Sequence, residues 1–381
     1  MLRKILTFFQ KETVLSISAI LAILSMFIVH PSGKYFSYID FRTLSLLFCL
    51  MSIVAGLSEI GLFDYLAEKI LSRANSIKSI IVLLVLLCFF FSMIITNDVA
   101  LITFVPFAII ILKKMSEKQK NYWILRTVVM QTIAANLGSM LTPIGNPQNL
   151  YLYARANMSA LALIRLMLPY SIAALVLLLV WIQVAAHREP VSTTENHISE
   201  LFSIHKTKAP NQTSLIGYLI LFLICLLVVA HIIDYRISFI LVIGYIFFKN
   251  WHLFKKVDYS LLLTFTALFI FIGNLKCIPQ FNHFLISIID GHETLTAILS
   301  SQIISNVPAA ILLSEFTKNY SALIIGTNIG GLGTLIASMA SLISFKYIAK
   351  EKTTLRGKYF MMFTIANIVF LILLLLCINL L

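Results

Sequence analysis

Apolar runs of roughly twenty residues follow one another along this chain, and that is the length an α-helix needs to cross a lipid bilayer. In hydrocarbon every backbone N–H and C=O must be satisfied within a helix or a closed barrel, and barrel strands are only about half as long. The runs therefore predict an all-α polytopic membrane protein. With 60% hydrophobic and 12% charged residues and a mean hydropathy of +0.95, 381 residues cannot cover themselves with a water-soluble surface. A net charge of +13 would point to nucleic acid in a soluble chain. Here the basic residues sit in short loops between apolar runs, where they orient helices, so nucleic acid is excluded as a partner and the lipid bilayer takes its place.

About nine spans are expected, near 13–30, 41–58, 121–155, 160–186, 213–232, 236–250, 258–275, 320–346 and 357–380. Two further regions, 79–112 and 284–317, are apolar on either side of a polar tip, with arms that read as short for a crossing. They are expected to be re-entrant hairpins. Met1 to Lys11 followed by an apolar run resembles a signal peptide, but without a small-residue cleavage site it is expected to remain as the first helix.

Lysine and arginine collect on the cytoplasmic side of membrane proteins. With the N-terminus inside and both hairpins returning to the side they enter, the inside loops hold clusters such as Lys113, Lys114, Lys118 and Lys120, or Lys346, Lys350, Lys352, Arg356 and Lys358. Only Lys34, Arg42, Arg155, Arg165, Arg236, Lys276 and Lys318 fall outside. This places the C-terminus outside. The polar stretch 187–212 reads as a cytoplasmic linker between a first repeat, 1–186, and a second, 213–381. Ile39-Asp40-Phe41 and Val257-Asp258-Tyr259 open corresponding spans that run in opposite directions, so the repeats have inverted topology, an architecture of secondary transporters.

Four interruptions carry the chemistry. Thr96-Asn97-Asp98 and Ser305-Asn306-Val307-Pro308 mark the hairpin tips. Where a hairpin stops inside the membrane, free carbonyls at the end of one arm suit a cation and free N–H groups at the start of the next suit an anion. Asn97 and Asn306 add amides, and Thr96 and Ser305 add hydroxyls, that serve either ligand, or these residues simply cap the arms. Asn136-Leu137-Gly138, continuing through Thr142, Pro143, Gly145, Asn146 and Asn149, breaks the helix of 121–155. Asn328-Ile329-Gly330 to Thr334, followed by Ala337, Ser338, Met339, Ala340 and Ser341, does the same in 320–346. Unwound backbone at membrane depth must be buried in protein or line a polar cavity. The candidate substrate site is thus Thr96, Asn97, Asp98, Thr142, Pro143, Gly145, Asn146, Ser305, Asn306 and Thr334; the candidate cation site is Asn97, Asp98, Asn136, Gly138, Ser305, Asn306, Asn328 and Gly330.

Over nearly its whole length the chain resembles the ion transporter superfamily of divalent-anion symporters, arsenite permeases, citrate–metal transporters and one branch of sodium–proton antiporters. Thr96-Asn97-Asp98, the stretch from Thr142 to Pro147, Ser305-Asn306 and the stretch from Asn328 to Ala337 carry the resemblance. It implies a scaffold, usually dimeric, beside a transport unit of hairpins and broken helices that moves like an elevator. In the divalent-anion branch each tip reads Ser-Asn-Thr. Asp98 and Val307 stand where those threonines would be, which is closer to the permease and antiporter branches.

An ionised carboxylate at membrane depth needs a partner. Asp98 is expected to bind Na⁺ or carry a coupling H⁺, or to cap the second arm. Glu59 and Asp64 are expected to be solvated, Glu315 to pair with Lys318, Arg155 and Arg165 to flank the outer ends of two spans, with anion collection the less favoured role, and Trp123 and Trp251 to anchor at the interface. The five cysteines read as packing residues, the histidines lack metal-ligand spacing, and no phosphate-binding loop appears. The expected function is secondary active transport of a small inorganic or organic anion, coupled to Na⁺ or H⁺ and needing no cofactor, in a bacterial plasma membrane. An Na⁺/H⁺ antiporter exchanging at Asp98 is the alternative; an intramembrane enzyme or a channel is less favoured because no catalytic pair or pore-lining charge series is visible.

Overall fold

A computed structural model describes residues 12–189, 208–351 and 355–378, so most of the expected linker at 187–212 lies outside the described residues. Among the described residues the chain is helical and contains no strand. In chain order α1 (Thr13–Met26), α2 (Tyr35–Tyr38), α3 (Phe41–Glu59) and α4 (Leu62–Leu71) lead into a hairpin of α5 (Ile77–Ile95) and α6 (Asn97–Leu112). A helix broken into α7 (Glu117–Ser139) and α8 (Pro147–Ala156) follows, then α9 (Ala160–His187). The second half runs through α10 (Gln212–Val229), α11 (Tyr235–Asn250), a 3-10 turn at Trp251–Lys256, α12 (Tyr259–Lys276) and α13 (Pro279–Ile289). Its hairpin is α14 (Glu293–Ile304) with α15 (Asn306–Leu313), its broken helix α16 (Tyr320–Ile329) with α17 (Met339–Glu351), and α18 (Arg356–Ile378) closes the chain.

Among the described residues seven helices are long and apolar enough to cross a membrane, and the protein is polytopic. One of the seven is α5, the first arm of the first hairpin, which corrects the expectation that both hairpins have short arms. Its 19 residues span about 28 Å. The second hairpin is shorter than expected, with arms of 12 and 8 residues. The apolar stretch before it belongs to a separate helix, α13, cut off by the left-handed turn at Gly291 (φ 75°).

Two groups of helices make up the core. In one, α12 packs on α1, and α3 packs on α10 and α11. The paired openings seen in sequence are matching N-caps here: Asp40 accepts from the Thr43 N–H and Asp258 from the Leu261 N–H, each at 3.0 Å. In the other group, α7 packs against both arms of the first hairpin and α16 against both arms of the second. The halves interlock, since α8 packs on α15 while α17 packs on α6. The two groups meet through α3 on α8 and α12 on α15.

Close helix crossings hold the broken helices to the hairpins. A Cβ on Gly138 would lie 2.7 Å from Ser92 Oγ, and one on Gly330 would lie 2.9 Å from Ser301 Oγ. Only glycine permits either crossing. Trp123 is fully buried against Tyr122 rather than anchored at the interface, because α7 runs through the middle of its group; Trp251 is exposed, as expected.

Candidate functional site

Each hairpin turns on a single residue in a backbone region that side chains other than glycine rarely enter. Thr96 has φ 73° and ψ 152°, and Ser305 has φ 76° and ψ 153°. Such conformations cost about 1–3 kcal/mol and persist where surroundings over-determine them. The same contacts do so at both tips. The Asn97 N–H donates to the Gly145 carbonyl at 3.1 Å, and the Asn306 N–H to the Ala337 carbonyl at 3.0 Å. Both acceptors belong to turns closed by threonine: Gly145 N–H donates to Thr142 Oγ1 at 3.1 Å, and Ala337 N–H to Thr334 Oγ1 at 3.2 Å. The hydroxyls of Thr142 and Thr334 then donate to the carbonyls of Met93 and Gln302 on the first arms.

Thr142 and Thr334 thus spend their hydroxyls clasping each break loop to its hairpin, and Thr334 is exposed. Gly138 and Gly330 serve the crossings described above. Pro143 is buried in the first break. It shapes backbone, since proline has no N–H to offer.

The asparagines come together. Asn97 Nδ2 donates to Asn136 Oδ1 at 3.0 Å, and Ser338 Oγ donates to the same oxygen at 3.0 Å. Asn136 Nδ2 reaches Ser341 Oγ at 3.4 Å. The mirror-image cluster surrounds Asn328, whose Oδ1 accepts from Asn146 Nδ2 at 3.4 Å and whose Nδ2 donates to Asn149 Oδ1 at 2.6 Å. Each half's helix-end asparagine is therefore held by the other half's break loop. Asn146 Nδ2 also donates to Ser139 Oγ at 2.6 Å, while its Oδ1 is buried without a partner among the described residues.

Past the asparagines the tips differ. Asp98 lies in the first turn of α6, half-buried, with Oδ1 buried and unpartnered among the described residues. Its own N–H takes Asn97 Oδ1 at 2.9 Å, and no side chain caps α6. The capping role weighed for Asp98 is thus not made through a hydrogen bond. At the other tip Val307 is buried, and Asn306 Oδ1 accepts only a long bond, 3.4 Å, from Ser305 Oγ. Asp98 has a carboxylate and Asn97 and Asn136 have amide oxygens, the type of ligand a hard cation takes, with Asn136 Oδ1 already accepting two hydrogen bonds and Asn97 Oδ1 one.

Several expectations about peripheral charges are corrected. Glu315 pairs with Arg155 of α8 and, at 2.7 Å, with Lys276 of α12, instead of with Lys318 on its own side. Glu59 is bonded to Lys256 at 2.7 Å and to Asn250 rather than simply solvated. Sequence reasoning left Asn149, Ser338, Ser341 and Gln302 out of the site. The signal was there: Ser338 and Ser341 follow Asn328 at the same spacing as Asn146 and Asn149 follow Asn136.

Comparison with known proteins agrees with this architecture. The sequence matches the citrate transporter family over residues 5–321. It is 34% identical over 332 residues to an uncharacterized transporter of Methanocaldococcus jannaschii, covering 87% of each chain. It is 31% identical over 336 residues to the inner membrane protein YbiR of Escherichia coli, covering 85% of this chain and 84% of that one.

Proposed function

The chain belongs to the citrate transporter family and is a multi-pass membrane transporter; from that premise we propose that it is a secondary active permease for a small anion, driven by Na⁺ or H⁺ through Asp98. The observation that carries this reading is the buried, unpartnered Oδ1 of Asp98 beside the Asn97–Asn136 pair. A carboxylate so placed costs on the order of 3 kcal/mol without a counter-charge, which a coupling cation or proton supplies. Asn97, Asp98 and Asn136 are the proposed cation ligands, supported by the backbone of the Gly138 turn. By the near twofold match of contacts, Ser305, Asn306, Asn328 and Gly330 complete the site from the second half.

The anion is proposed to lie where the N-terminal turns of α6 and α15 approach the break loops, because the helix dipoles there favour negative charge. Thr96, Asn146, Ser305 and Asn306 are its polar neighbours, with Thr142, Pro143, Gly145 and Thr334 shaping the loops. The family description makes citrate the first substrate to try. The two halves are proposed to be inverted repeats, and the hairpin group is proposed to move as an elevator against the group of α1, α3 and α10–α12. The narrow seam between these groups, bridged by Lys276 and Glu315, supports that motion. A bacterial plasma membrane, an inside N-terminus and a homodimer complete the proposal.

The second reading is an Na⁺/H⁺ antiporter. It is favoured by the confinement of the charge to one tip, Asp98 against Val307. One experiment separates the two. In proteoliposomes, uptake of labelled citrate and other small carboxylate or inorganic anions is measured under imposed Na⁺ or H⁺ gradients, beside Na⁺-driven proton flux. The permease reading predicts gradient-dependent uptake of an anion; no anion uptake with robust Na⁺/H⁺ exchange contradicts it.

A further inference from the structure

Arg126 lies within a predicted span, 121–155, and the site above makes no use of it. It lies at the mouth of a groove of about 740 Å³ formed where α7, α9 and α18 converge. The groove is apolar along its length, lined by Trp181, Met361 and Leu373 among others, and only Asn121, Arg126 and Lys358 make it polar, all at one end. We infer that this groove is a binding site for an anionic phospholipid, whose phosphate is held between Arg126 and Lys358 and whose acyl chain lies against Trp181.

Geometry and charge support that occupant. From Lys358 to Leu373 the axis of α18 rises about 22 Å. One leaflet of a bilayer, headgroup included, is about 20–22 Å thick, half the full width. The groove therefore matches one lipid lying along its own leaflet. Among the described residues neither Arg126 nor Lys358 pairs with a carboxylate. The guanidinium is pre-positioned: it stacks 3.8 Å over the Tyr122 ring and donates one bond, 2.7 Å, to the Tyr122 carbonyl. Tyr122 is itself pinned to α9 by its hydroxyl, which donates to the Ala185 carbonyl at 2.8 Å. This leaves the remaining guanidinium donors for a phosphodiester, and paired basic residues between helices at a membrane face are how anionic headgroups are recognised. Trp181, packed on Phe370 with ring centroids 5.8 Å apart, gives the chain a flat apolar wall. The orientation proposed above assigns the lipid to the inner leaflet; the site itself does not depend on it.

Trp181 also reports on the occupant. The full chain is reconstituted in phosphatidylcholine vesicles carrying a small fraction of brominated phosphatidylglycerol or brominated phosphatidylcholine, and quenching of Trp181 is taken as the difference from Trp181→Phe. The expected result is a preference for the anionic lipid on the order of tenfold, abolished by Arg126→Gln with Lys358→Gln. Equal quenching by the two lipids overturns the inference, as does an absence of quenching by either, which would mean that a second copy covers the groove. The lipid comparison on the native chain decides the matter even where the double variant fails to fold.

Discussion

The two hairpin tips share a backbone and differ in chemistry. Thr96 and Ser305 have almost the same φ and ψ, and in each case the next N–H bonds to the threonine-closed break loop of its own half. One residue further on, a carboxylate stands against an isopropyl group: Asp98 against Val307. Asn97 also reaches Asn136, whereas Asn306 makes no such bond to Asn328 among the described residues. The lesson is that the twofold match lies in what holds the tips, and the charge chemistry has been given to one of them.

That comparison breaks most readily at Asp98. Replacing it with asparagine removes the proposed coupling charge, so gradient-driven uptake should fall by about 100-fold, the equivalent of the ~3 kcal/mol at stake. Val307→Ala keeps the second tip apolar and should leave gradient dependence intact. Equal losses in the two variants would put the chemistry on both tips.

A smaller effect separates the asparagines. Asn136→Ala and Asn328→Ala each remove buried hydrogen bonds, and each should lower thermal stability by about 1–3 kcal/mol. Asn136→Ala should also weaken the apparent affinity for the coupling ion more than Asn328→Ala does, since Asn136 bonds to the charged tip through Asn97. Parallel changes in ion affinity would remove the distinction.

Glycine at the tips probes the shared backbone. Thr96→Gly and Ser305→Gly relieve the unfavourable φ, and each should stabilise the protein by roughly 1 kcal/mol after the entropic cost of glycine. A gain at one tip only would show that the strain is unequal. The smallest effect is expected at the seam, where Glu315→Gln should change stability by less than about 1 kcal/mol because partly exposed ion pairs contribute little.

Much of this was legible because hydrogen-bonding residues in apolar sequence are conspicuous. Asn97, Asn136, Asn306 and Asn328 stand out on that ground, and the structure brings three of them and their break loops into bonded clusters. Ser338 and Ser341 were harder to pick out, since small residues in a membrane helix usually mark close packing and a hydroxyl can bond its own helix. Thr142 and Thr334 looked like ligands, and only three-dimensional contacts show their hydroxyls turned to Met93 and Gln302. The partners of Glu315 were illegible for a different reason: Arg155 and Lys276 lie far from it in sequence, and local spacing favoured Lys318. The length of α5 was hidden because its polar tip drew attention to the break and away from the 19 residues leading to it.

The central claim is that Asp98 carries a charge the folded protein must compensate with a bound ion. It can be tested without knowing the substrate, by following the melting temperature of the purified full chain across Na⁺ concentration and pH, in the native protein and in Asp98→Asn. The account predicts that the native protein's melting temperature responds to one of these two variables and that the response disappears in the variant. An identical response in both proteins would contradict it.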